Sequence, residues 1–103
     1  MLMTPLKPQD ILTFKLKTGE EVIVKLLHES DMYYEVSNPL VIIMTKDGNL
    51  GMQHFMMTAN EDANVKIIKD NVVAYSSVDP ELEKNYKKNT SKIELLTPGS
   101  FKL

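Results

Sequence analysis

A polar triplet, Lys69-Asp70-Asn71, separates two apolar runs in the stretch VKIIKDNVVAY, residues 65–75. Aspartate and asparagine are ordinary turn formers, so the triplet fits a tight hairpin between two strands. The same side chains offer a cation, an anion and an amide, which together suit a turn that binds a polar ligand. The sequence leaves both interpretations open.

A second group of polar and aromatic residues lies earlier, where Asp31 precedes Tyr33 and Tyr34 at the start of an apolar run. A tyrosine ring can pack in a core or stack on a nucleic-acid base. Because consecutive residues of a strand point to opposite faces, we expect only one of the two tyrosines to be buried.

Side chains suited to catalysis or metal binding are scattered along the chain. His28 and His54 have no partner at the spacing of metal ligands, and there is no cysteine. Neither a glycine loop for phosphate nor an activated serine is recognisable. We therefore expect no catalytic residue, no metal, no cofactor and no enzymatic activity.

The composition fits one globular domain, with 103 residues, 43% hydrophobic and 25% charged. A formal net charge of −2 disfavours a strongly basic, non-specific nucleic-acid binder but leaves room for a small local basic site. No apolar run approaches the ~20 residues that span a bilayer, and the N-terminus lacks a signal pattern. We expect a cytoplasmic protein with no membrane partner.

Alternating apolar and polar residues predict short strands over residues 10–78, separated by turns at Gly19, Asp31, Gly48 and Asp70. This rhythm predicts a mainly β fold, a small and strongly bent antiparallel barrel of about five strands. The expected sheet edges are residues 51–57 and 71–75. Residues 1–9 form an N-terminal arm in this scheme.

Residues 79–103 have a different character and predict a short C-terminal helix followed by a tail. Asp79 suits the N-cap and Pro80 the first helical position, which places the helix at about residues 80–88. Leu82 and Tyr86 are four residues apart and would share one helix face. The tail segment KIELL either adds a strand or has no regular structure.

Four methionines cluster around one expected hairpin: Met44, Met52, Met56 and Met57. Core filling by a flexible side chain is the simpler interpretation. The alternative is an adaptable interface between subunits.

Taken together, two segments resemble the Sm-like family, which includes the Sm and Lsm proteins and bacterial Hfq. FKLKTGEEVIVKLLHESDMYYEV matches the family's first motif, a strand, a glycine turn at Gly19, a second long strand and an Asp-x-aromatic element at Asp31. VKIIKDNVVAY matches much of the second motif. The resemblance covers about residues 10–78 and implies an Sm-like or SH3-like barrel.

The sequence departs from the family pattern at several positions. The motif asparagine falls at Glu35 or Tyr34, the glycine of the second strand is Val24, and Ile68 and Lys69 occupy the places of an Arg-Gly pair. Each change weakens uridine-type recognition. The family usually places its helix before the first strand. The C-terminal helix and acidic charge are most similar to divergent Sm-like proteins of bacteriophages, especially cyanophages, which would place the chain in the host cytoplasm.

The resemblance implies a homo-oligomeric ring of about five to seven subunits that binds RNA or another single-stranded nucleic acid at its pore. Tyr33 would stack on a base, Lys69 would meet a phosphate or base edge, and Asn71 would form hydrogen bonds. The alternative is an oligomeric adaptor that binds protein, which the acidic charge and the lost motif residues favour. The full set of implied RNA-binding residues is Asp31, Tyr33, Lys69, Asp70 and Asn71.

Overall fold

A computed structural model of the chain describes residues 6–60 and 62–95, with only the backbone for residues 91–95. In that part, the fold is mainly β, a six-stranded antiparallel sheet followed by one helix. The elements are β1 (Ile11–Leu16), β2 (Glu21–Glu29), β3 (Tyr33–Met44), β4 (Leu50–His54), β5 (Val65–Ile68), a 3₁₀ turn (Lys69–Asn71), β6 (Val72–Ser77) and α1 (Pro80–Leu95).

The sheet has the order β4-β3-β2-β1-β6, and β5 also pairs with β3. Six strands form instead of about five because one edge of the long strand β3 accommodates two partners. Its residues 33–36 pair with β5 and its residues 40–44 pair with β4. Hydrogen bonds do not close the sheet within the described residues, so a barrel is not confirmed.

The connection between β5 and β6 is not the tight hairpin that the residue types at positions 69–71 allowed. β5 pairs with β3, whereas β6 pairs with β1, so the two strands do not pair with each other. The 3₁₀ turn Lys69–Asn71 therefore carries the chain from one side of the sheet to the other. β4 and β6 are the outermost strands of the main path, as expected. β4 ends at His54, however, so residues 55–57 of the expected edge 51–57 are not part of a strand.

Both faces of β2 are covered by apolar side chains. Phe14 and Val22 are fully buried on one face, and Ile23 is 1% exposed on the other. Burying one such side chain stabilises the fold by roughly 1.5–3 kcal/mol. The first core comprises Leu12, Phe14, Leu16, Val22, Val24, Leu26, Tyr34, Val36 and Ile67, and the second comprises Ile23, Leu40, Val78 and Tyr86.

Helix α1 covers the second core. The backbone N–H groups of Glu81 and Leu82 donate to Asp79 Oδ2 at 3.1 and 3.3 Å, which confirms the expected N-cap. Leu82 and the buried Tyr86 pack on the same cluster. The helix continues to Leu95, beyond the expected residues 80–88, so residues 92–95 of KIELL form no strand. Residue 96 lies outside the described residues.

The methionine cluster is mostly exposed. Met52 packs against the second core, but Met44, Met56 and Met57 are 66%, 47% and 77% exposed. Core filling is therefore the wrong interpretation for these three side chains. Their exposure leaves an apolar surface along β4 and the loop that follows it.

Candidate nucleic-acid interface

Backbone hydrogen bonds hold the 3₁₀ turn between two other connections. The N–H of Lys69 donates to the carbonyl oxygen of Met32 at 2.9 Å, and the N–H of Lys17 donates to that of Asn71 at 2.8 Å. The turn thus joins the β1–β2 and β2–β3 connections. The two segments singled out by the sequence, residues 31–33 and 69–71, are brought together.

Ser30 shapes the β2–β3 connection. Its Oγ accepts hydrogen bonds from the N–H groups of Met32 and Tyr33, at 3.2 and 3.1 Å, and its own N–H donates to the Tyr33 carbonyl oxygen at 2.9 Å. Side-chain bonds of this kind are why serine favours turns. The turn leaves the side chains of Asp31 and Met32 exposed.

The two tyrosines at the start of β3 point to opposite faces of the sheet, as strand alternation requires. Tyr34 is only 7% exposed and packs on Phe14, with 4.9 Å between the ring centroids. Tyr33 is half-buried, and Lys66 Nζ lies 5.1 Å from the centroid of its ring. The expectation that only one of the two tyrosines is buried is confirmed.

Lys69 contacts Tyr34, not Tyr33. Its Nζ lies 5.1 Å from the centroid of the Tyr34 ring and 2.6 Å from Glu29 Oε2. The hydrogen bond to Glu29 raises the pKa of Lys69 above its ordinary value, and burial raises that of Tyr34. The backbones of the two predicted segments, residues 31–33 and 69–71, lie next to each other. The side chains of Tyr33 and Lys69, however, lie on opposite faces of the sheet.

The remaining predicted residues, Asp70 and Asn71, have exposed side chains at the turn. Sequence reasoning missed Glu29 and Lys66, because the strand pairing that brings them to Lys69 and Tyr33 is not visible in local patterns. Among the residues that the structure describes, the surroundings of the turn have no excess of positive charge. Its lysines are Lys17, Lys66 and Lys69, and its carboxylates are Glu29, Asp31, Glu35 and Asp70.

Other chemistry is sparse in the part of the chain that the structure describes. It contains no group of three or more His, Cys, Asp or Glu residues that could hold a metal ion. Across residues 6–60 and 62–95, no helix combines the length and apolar character needed to cross a membrane.

Comparison of the sequence with models of known protein families gives no match, and comparison with curated proteins gives none either. The functional assignment therefore depends on the geometry of the site and on the sequence motifs.

Proposed function

We propose that the chain is a divergent Sm-like protein that assembles head to tail into a ring and binds single-stranded nucleic acid weakly at the turn cluster. In this proposal the strongly bent sheet is a barrel of the Sm-like or SH3-like kind. The ring contains about five to seven copies and acts in the cytoplasm, that of the host if a bacteriophage encodes it.

The observation that carries the proposal is the hydrogen bond from the Lys69 N–H to the Met32 carbonyl oxygen, 2.9 Å long. It joins the two segments that resemble the Sm motifs, although they lie far apart in the sequence. Tyr33, the aromatic residue of the first motif, is partly exposed beside this bond and can stack on a base. Asp31, Asp70 and Asn71 provide exposed polar groups around it.

Ring assembly is supported by the two ends of the sheet. β4 and β6 each have one edge without a strand partner among the described residues. Unpaired strand edges favour pairing with another chain, and repeated pairing of two different edges forms a ring when the rotation closes. Both edges also expose large apolar side chains, Leu50 at 51% on β4 and Val73 at 59% on β6.

Binding at one subunit would be weak, since a stacked base contributes roughly 1–3 kcal/mol. A ring presents several copies of Tyr33 to one strand, so that the contacts reinforce one another through effective concentration. The net negative charge of the chain opposes this at long range. We therefore expect the affinity to fall as salt is added, with a shallow slope of log affinity against log salt concentration.

A second candidate function, an oligomeric adaptor for a protein partner, is supported by two observations. Lys69 forms an ion pair with Glu29, which leaves its charge neutralised. The exposed Met56 and Met57 form an adaptable apolar surface of the kind found at promiscuous protein interfaces. An adaptor of this kind would form the same ring but would not bind its partner through Tyr33.

Two measurements test the proposal. Light scattering coupled to gel filtration should give about five to seven times the chain mass of 11.7 kDa. Titration of labelled oligouridylate and oligoadenylate at low salt should show binding that Tyr33→Leu weakens by at least about fivefold. A monomer rejects the ring. If the ring is intact but binds neither oligonucleotide at tens of micromolar, the adaptor function is the one to adopt in place of nucleic-acid binding.

A further inference from the structure

We propose that Lys66 is the residue that meets a backbone phosphate of the bound strand, next to a base stacked on Tyr33, and that Lys69 is withheld from this role by Glu29. This inference rests on the proposed function and identifies the positively charged side chain of the same site. Neither Lys66 nor Glu29 belongs to the residues that the Sm motifs single out.

Strand register places Lys66 on the surface where Tyr33 is accessible. Tyr33 is opposite Ile68, and Glu35 is opposite Lys66, in the β3–β5 pair. Directly opposed residues of an antiparallel pair share a face. We call the surface formed by Tyr33, Lys66 and Ile68 the Tyr33 face. It combines an aromatic ring, a cation and an apolar side chain that is 46% exposed, and it also carries the carboxylate of Glu35 opposite Lys66.

The composition of the Tyr33 face suits a nucleotide. The Tyr33 ring and Ile68 offer apolar area to a base. Lys66 Nζ lies over the ring, 5.1 Å from its centroid, so a base that stacks there takes the other face of the ring or moves the lysine aside. In either case the phosphate of that nucleotide lies within reach of Lys66. Lys66 is exposed, and no carboxylate is within ion-pair distance of it among the described residues. The nearby Glu35 instead accepts a hydrogen bond from Asn64 Nδ2 at 3.0 Å.

Lys69 is placed differently. Its ammonium group is bound to Glu29 at 2.6 Å and lies over Tyr34, on the opposite face from Tyr33. A phosphate that binds Lys69 must first displace the Glu29 carboxylate, and charge-assisted hydrogen bonds of this length are the strong ones. Asp31 is also close enough to interact electrostatically with Lys69 and would repel the phosphate.

The test compares Lys66→Gln and Lys69→Gln, each of which removes one positive charge and keeps a long polar side chain. Lys46→Gln, at the exposed tip of the β3–β4 connection, is the matched control for loss of net charge. The probe is a fluorescein-labelled oligouridylate of about 12 nucleotides, titrated by anisotropy at several salt concentrations. Light scattering checks that every variant keeps the assembly state of the wild type.

We expect Lys66→Gln to weaken binding by about two- to fivefold at low salt and to flatten the salt dependence, with a smaller loss for Lys69→Gln. Glu29→Gln should strengthen binding, because it removes a negative charge and releases Lys69. A larger loss for Lys69→Gln than for Lys66→Gln overturns this inference but leaves the proposed function in place. No binding by the wild-type protein overturns both.

Discussion

Replacing Tyr86 by phenylalanine tests how helix α1 is fixed to the sheet. The Tyr86 hydroxyl donates to the carbonyl oxygens of Asn38 and Ser37, at 2.8 and 3.2 Å, and the side chain is only 1% exposed. These carbonyls lie where β3 bends, since Asn38 has a φ of 49° and precedes Pro39. The Tyr86 side chain thereby makes polar contact between the helix and the bend in the sheet.

The expected loss in the free energy of unfolding for Tyr86→Phe follows from the contacts that the phenylalanine ring keeps. The ring stays in the second core, so apolar burial is kept, and the loss comes from the part-buried carbonyl groups of Asn38 and Ser37, which no longer receive this donor. Such a loss is about 1–2 kcal/mol. For a domain of this size, each kcal/mol lowers the Tm by roughly 4–8 °C. Tyr86→Ala also leaves a cavity and should cost about 3–5 kcal/mol.

Urea unfolding followed by circular dichroism measures these changes. All proteins must be compared at one concentration, because assembly makes apparent stability depend on it. Tyr33→Phe is the matched control, since it removes a hydroxyl from a half-exposed side chain and should change the free energy of unfolding by less than about 0.5 kcal/mol. Equal stability of the wild type and Tyr86→Phe would refute the role given to the hydroxyl.

Three further predictions concern charge, backbone and assembly. Because hydrogen bonding to Glu29 raises the pKa of Lys69 above 10.5, the stabilisation from this pair is present below that pH and is lost as the pH rises through the folded-state pKa. NMR titration of the Lys69 side chain should show a lower pKa in Glu29→Gln, and an unchanged pKa contradicts the pairing. Gly19→Ala should cost about 1 kcal/mol in urea unfolding, although a Cβ there meets nothing within 4 Å, because the φ of 103° strains any L-residue; no loss would contradict this conformation. Val73→Lys, on the exposed edge of β6, should yield a folded monomer by light scattering, and an intact oligomer would exclude β6 from the interface.

Local sequence patterns were enough to predict most elements. Alternation located the strands, and the Gly19 and Gly48 turns have the positive φ values expected of them, 103° and 86°. Asp79 located the start of the helix because the cap needs only neighbouring residues. The end of the helix was missed, since residues 89–95 lack a strong stop signal before Pro98 and Gly99.

The partners of strands and side chains could not be read from local patterns. The triplet at residues 69–71 is compatible with a hairpin and with a 3₁₀ turn, and only the distant pairings of β5 with β3 and β6 with β1 decide between them. Alternation predicted that one of Tyr33 and Tyr34 is buried but not which one. The Lys69–Glu29 contact joins residues 40 positions apart, a separation that only the folded sheet defines.

Photochemical crosslinking to an oligouridylate containing 4-thiouridine tests the central claim most directly, because it identifies the residue on which a base rests. Digestion after lysine places Tyr33 in the peptide of residues 26–46, and tandem mass spectrometry separates Tyr33 from the buried Tyr34. We predict that the main adduct is on Tyr33 and disappears in Tyr33→Leu. A main adduct elsewhere, or none under conditions where the oligonucleotide binds, would contradict the account.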